Sequence, residues 1–108
     1  MANKNIMLEG SIKIDSEKVV ERKLRESVKQ HKGLCIKLLP DFFSGLPDRI
    51  VLLPGANIFF IELKTTKIDA RKLQKIVHDK LRDLGFKVYV IDTIEGALSI
   101  VDLHMKGE

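Results

Sequence analysis

Residues 45–64 read Gly45-Leu46-Pro47-Asp48-Arg49-Ile50-Val51-Leu52-Leu53-Pro54-Gly55-Ala56-Asn57-Ile58-Phe59-Phe60-Ile61-Glu62-Leu63-Lys64, two apolar runs around a turn. Arg49–Leu53 is almost continuously apolar, as in a strand buried on both faces. Pro54–Asn57 has turn composition, and Ile58–Lys64 is the next strand, so the pair predicts a hairpin. Residues two apart on a strand share a face. Glu62 and Lys64 therefore project side by side from a strand that is otherwise apolar. Charges at the end of a buried strand are costly unless paired or used. Asp48 stands just before the partner strand, and the hairpin brings it beside Glu62.

Upstream, the spacing from Ser16 to Lys32 is helical, with Val20, Leu24 and Val28 forming one stripe. Asp15 or Ser16 can cap that helix and Gly33 can stop it. Leu34–Leu39 reads as a short strand closed by Pro40, and Pro40–Pro47 as a loop. Residues 1–15 read as an N-terminal arm or edge strand, on the alternation Ile6, Leu8, Ile12 and Ile14. Downstream, a helix begins at about Asp69, with Leu73, Ile76, Val77, Leu81 and Leu84 at three- and four-residue steps and Gly85 ending it. Phe86–Ile91 is another strand. A last helix runs from Thr93 to about His104, with Thr93 or Asp92 as its cap. The strand–helix–strand segment Ile58–Ile91 should cross over right-handed and make its two strands parallel. The expected fold is α/β, a mixed β-sheet flanked by α-helices, in a single domain spanning residues 1–108.

The composition agrees with a globular domain. The chain has 108 residues, 44% hydrophobic and 31% charged, with Lys+Arg 19 against Asp+Glu 15 and a net charge of +4. No apolar run approaches the ~20 residues that span a bilayer, and no secretory leader is expected. The single cysteine, Cys35, excludes an internal disulfide framework and a multi-cysteine zinc site, so a reducing, cytoplasmic setting is expected. The charge permits nucleic-acid binding without establishing it.

Two carboxylates converging on one point make a hard oxygen site for Mg²⁺ or Mn²⁺. A neighbouring lysine can hold a phosphate oxygen and orient a water, a combination suited to phosphodiester hydrolysis. Glu62 and Lys64 read equally as a same-face ion pair on an edge strand, with Asp48 an ordinary turn residue. Glu21 lies just off the edge of the Val20/Leu24/Val28 stripe and Gln74 at a similar border beside Leu73, Leu81 and Leu84. Groups there can reach a cleft or be plain boundary residues. Glu17, nearer the stripe's centre, sits in the first turn, where its charge suits the helix dipole. In the loop before Asp48, Phe42 and Phe43 are expected to anchor the loop to the core, the other readings being a junction wedge or a dimer contact. His31, His78 and His104 lack zinc spacing, and His78 is expected at the surface.

Gly45–Gly55, then Phe60-Ile61-Glu62-Leu63-Lys64, then Leu73-Gln74, resemble the VRR-NUC domain of the PD-(D/E)XK nuclease superfamily, and the match extends from about Glu21 to Ile91. The resemblance implies a restriction-endonuclease-like fold and a DNA endonuclease. It implies Asp48 and Glu62 as ligands of Mg²⁺ or Mn²⁺, completed by the Leu63 carbonyl, with Lys64 as the motif lysine and Gln74 as the following glutamine. Glu21 resembles the acid of the first helix, which supports the metal directly or through water. Lys37 resembles a recurrent lysine with a phosphate or DNA role. Where many relatives carry a Gly-rich connection after the motif lysine, this chain has Thr65-Thr66-Lys67-Ile68-Asp69, which leaves any loop contact there in question. The small standalone form resembles phage and bacterial members, which implies a homodimer acting on branched DNA such as four-way (Holliday) junctions.

Lys37, Arg49, Lys67, Arg71, Lys72 and Lys75 cluster in sequence near the proposed site and are candidates for phosphate contacts, although at least half are expected to be solvated surface groups. With aromatics at 6%, a base-stacking platform is poorly supported. Candidate dimer surfaces are the arm and the last helix through Ile94, Leu98 and Val101. Alternatives are a nicking or flap nuclease without junction preference, a non-catalytic DNA-binding protein on the same fold, and an interaction module.

Overall fold

A computed structural model describes residues 16–39, 41, 43–64 and 72–106, apart from the side chain of Lys72. The expected arm at residues 1–15, Pro40, Phe42, and the start of the second helix at about Asp69 lie outside the described residues. The chain order is α1 (Glu17–Gln30), β1 (Leu34–Lys37), β2 (Arg49–Leu53), β3 (Asn57–Leu63), α2 (Lys72–Asp83), β4 (Lys87–Ile91) and α3 (Ile94–Lys106). The strands form one mixed sheet in the order β1-β2-β3-β4. The β1/β2 and β2/β3 pairs are antiparallel, and β3/β4 is parallel, as the strand–helix–strand crossover requires.

Alternation along the strands divides the sheet into two faces. Val51, Leu53, Phe59, Ile61, Leu63 and Ile91 point to one side, where they form the core with Val20, Leu24 and Val28 of α1 and Ala97 and Val101 of α3. The α1 stripe is wholly buried, as its four-residue spacing predicts. β2 is less enclosed than its apolar run suggests, because Ile50 and Leu52 on the other face are only half-buried. β3, one of the two interior strands, is buried from Phe59 through Leu63. Val101 and Ile94 also belong to this packing. They are therefore not a dimer surface; the Ile94/Leu98/Val101 stripe packs α3 against α1 and leaves only Leu98 substantially exposed.

Helix ends follow local chemistry. Ser16 occupies the N-cap position of α1, but its side chain makes no capping bond. Thr93 caps α3, its Oγ1 accepting from Gly96 N–H at 2.9 Å. Gly85, at φ +100, ends α2 while Phe86 N–H donates to the Leu81 carbonyl at 3.0 Å. At the end of α1 the left-handed residue is Lys32 (φ 65), one position before the expected Gly33. Gly33 serves close approach instead: a Cβ there would lie 2.8 Å from Leu53 Cδ2 and nearer still to the Leu52 carbonyl oxygen. The β2/β3 hairpin turns through exposed residues, with Ala56 itself at φ 59.

On the core face near the turn, Asn57 Nδ2 donates to the His104 carbonyl, and Asn57 Oδ1 accepts from His104 Nδ1, both at 2.7 Å. His104 Nε2 then accepts from the Tyr89 hydroxyl at 2.7 Å, and the imidazole stacks on Phe59 with centroids 4.1 Å apart. This network ties α3 to the sheet. Phe43 is 59% exposed, so it does not anchor its loop to the core. A side chain at that loop position needs a facing apolar neighbour, which local composition does not specify.

Candidate active site

The β2/β3 register pairs Arg49 with Ile61, so the next position outward sets Asp48 across from Glu62. Both carboxylates belong to the face opposite the α1/α3 core, because Glu62 alternates with Ile61 and Leu63. Asp48 is fastened on several sides. Its Oδ2 accepts from Leu63 N–H at 2.7 Å. Its carbonyl accepts from Leu38 N–H at 2.8 Å and from Arg49 Nη1 at 3.0 Å.

Glu62 is 4% exposed. Its Oε2 accepts from Gln74 Nε2 at 3.0 Å and lies 3.9 Å from Lys64 Nζ. Its Oε1 is buried and has no hydrogen-bond partner among the described residues. Burial first, and the Asp48 charge second, push the Glu62 carboxyl above its ordinary range, while Lys64 and Gln74 pull the other way. A buried acid beside a second acid is a site that a cation would relieve. β3 is a central strand, so the expected alternative of an ion pair on an edge strand does not describe Glu62 and Lys64.

Gln74 reaches the acid from α2, as its border position on that helix allows. His78, four residues on, is 3% exposed with Nε2 3.9 Å from Glu62 Oε1. This corrects the expected surface position. Residues four apart share a helix face, so a helix that aims Gln74 inward aims His78 inward too. That signal was present in the sequence and is not a zinc spacing. Burial, followed by the charges of Arg82 and Lys64, lowers the His78 pKa, which favours a neutral ring.

Glu21 lies at the same end of the sheet but on the α1 side. It is paired with Arg25 Nη1 at 2.8 Å and with Arg49 Nε at 3.4 Å. Arg49 is correspondingly withdrawn, with a side chain only 13% exposed. Lys37 and Lys75 are exposed. Lys67 and Arg71 lie outside the described residues, as does the side chain of Lys72.

Among the described residues, no three His, Cys, Asp or Glu side chains converge as a metal cluster. The donor set is two carboxylates, Asp48 and Glu62. That set fits Mg²⁺, which binds through one or two carboxylates and keeps several waters, and it fits Mn²⁺. Among the described residues, no helix is long and apolar enough to cross a membrane.

No protein-family model matches the chain. Over 77 residues it is 32% identical to "Putative nuclease p44" of Acyrthosiphon pisum secondary endosymbiont phage 1, covering 71% of this chain and 83% of that protein. A solved structure described as a VRR_NUC domain superposes with a TM-score of 0.72 at 28% identity, covering 80% of this chain and 94% of the other. With the mixed sheet, the paired acids and the lysine beside them already in place, these likenesses make the chain a member of the VRR-NUC family of nucleases.

Proposed function

We propose that the protein is a divalent-metal-dependent DNA endonuclease that acts as a homodimer on branched DNA, four-way junctions first, in the cytoplasm of a bacterium or a phage-infected cell. The observation that carries the reading is the juxtaposition of Asp48 and Glu62 across one strand pair, with Lys64 on the same face. Asp48, Glu62 and the Leu63 carbonyl would hold Mg²⁺ or Mn²⁺, and Glu21 would support the ion through water. Such a cation would supply Lewis acidity, making water more acidic and offsetting charge on the leaving 3′ oxygen.

The remaining work falls to side chains. Lys64, 21% exposed, extends from the rim of the site to orient the attacking water or hold the scissile phosphate. Gln74 fixes the direction of the Glu62 carboxylate. Lys37 and Lys75, with Lys67, Arg71 and Lys72, supply phosphate contacts that position DNA without reading its sequence. Arg49 contributes through Glu21 and the Asp48 carbonyl more than through exposed charge. Hydrolysis would leave 5′-phosphate and 3′-hydroxyl ends.

The test compares wild type with Glu62→Ala on a labelled four-way junction and a matched duplex, in Mg²⁺, Mn²⁺ or EDTA. Metal-dependent cutting that the substitution abolishes supports the nuclease, and preference for the junction supports the substrate. Equal cutting of both substrates leaves a nicking or flap enzyme. Binding without cutting under every metal leaves a DNA-binding protein on a nuclease fold.

A further inference from the structure

Glu62 Oε1 and His78 Nε2 are the buried side-chain polar atoms without a hydrogen-bond partner among the described residues, and they face each other at 3.9 Å. Unsatisfied buried groups are costly, and two such atoms side by side point to a common cause. One carboxylate oxygen, Oε2, already has its donor in Gln74. Gln74 and His78 lie one turn apart on α2, so the helix offers one nitrogen to each oxygen of the same acid. A neutral imidazole carries one N–H, and only the Nε2–H form satisfies both orphaned atoms.

We infer that His78 is a positioning residue, a second donor whose Nε2–H closes on Glu62 Oε1 as Gln74 closes on Oε2. The two donors form a clamp that fixes the plane of the Glu62 carboxylate and hence the lone pairs it turns toward a cation. Lys64 on the rim is left to face the substrate, and Asp48 across the strand pair to complete the cation site. The inference rests on the metal-nuclease reading for its consequence, while the closing of the 3.9 Å gap is tested on the metal-free protein.

The experiment has two readouts besides cleavage. Long-range ¹⁵N NMR of the imidazole rings in metal-free protein, with His78 assigned from the spectrum of His78→Gln, reports which ring nitrogen carries the proton. Calorimetric titration with Mn²⁺ is run on wild type, His78→Ala, His78→Gln and Glu62→Gln without DNA. The expected result is a protonated Nε2 whose resonance shifts in Glu62→Gln. Mn²⁺ affinity should fall about ten-fold in His78→Ala, as for other groups that orient metal ligands. It should recover most of that loss in His78→Gln, whose amide nitrogen reaches the same place. A bare Nε2, or a ring resonance indifferent to Glu62→Gln, overturns the clamp. So does wild-type Mn²⁺ affinity in His78→Ala. If wild type neither binds Mn²⁺ nor cuts DNA, the metal-nuclease reading fails, and the ring spectrum alone decides the clamp.

Discussion

Replacing Glu62 by Gln should make the metal-free protein more stable at neutral pH while removing its response to Mn²⁺. The side chain is 4% exposed, so its charge has lost most of its water. Lys64, 3.9 Å away, returns about 4 kcal/mol of attraction at an effective dielectric of ~20. Burial and the Asp48 charge outweigh that return together with the Gln74 bond, since the net direction of the pKa is upward. A carboxyl raised on folding binds its proton more tightly in the native state. Its stabilising contribution is therefore present below the ordinary value of 4.5 and is lost as pH rises through the folded pKa. Gln keeps the shape, its oxygen can still accept from Gln74, and its amide nitrogen can donate to His78 Nε2 once that ring takes its other neutral tautomer. The variant should gain about 1–2 kcal/mol at pH 7.5, a usual return for relieving a strained functional site. Urea denaturation in EDTA from pH 4 to 8 measures this, and the wild-type and variant curves should converge toward acid. Added Mn²⁺ at 100 times its Kd should then stabilise wild type by about 2.7 kcal/mol and leave the variant nearly unmoved. A variant less stable than wild type at pH 7.5 in EDTA, or parallel pH curves, would refute the reasoning.

Gly33→Ala should cost about 1–3 kcal/mol in a urea melt, because the new Cβ meets the backbone of β2 as well as the Leu53 side chain. Cys35, its thiol pushed up by burial to about 11, should react slowly with iodoacetamide at pH 7.5 in folded protein and quickly in urea, as followed by mass spectrometry. Arg49→Ala should destabilise by about 1–3 kcal/mol, because it takes a charged partner from Glu21 and a donor from the Asp48 carbonyl. Its effect on the salt dependence of DNA binding should be small; a slope reduced by about one unit would instead make Arg49 a direct phosphate contact.

The hairpin, the α1 stripe and the parallel crossover were legible because each rests on local periodicity and turn chemistry. The Asp48/Glu62 juxtaposition followed from the same source, as register fixes which residues face each other across two strands. The Arg49–Glu21 pair was not legible, since 28 residues separate the partners and only the docking of α1 brings them together. α3 misled for a related reason. Its apolar spacing announces a buried face, but the α1 side chains that bury it lie far away in sequence. His78 is different, because its position one turn beyond Gln74 already implied the burial.

The hairpin register has a consequence for how such a chain can change. The separation of the two acids is set by the spacing of neighbouring strands, with no contribution from the exposed turn at Pro54, Gly55 and Ala56. Residues can be added at that turn without moving Asp48 relative to Glu62. A single residue lost between Asn57 and Phe60 would instead turn Glu62 into the apolar core and leave Leu63 facing the cleft. Length in this hairpin is free to drift, whereas the odd-or-even count of its strands is not.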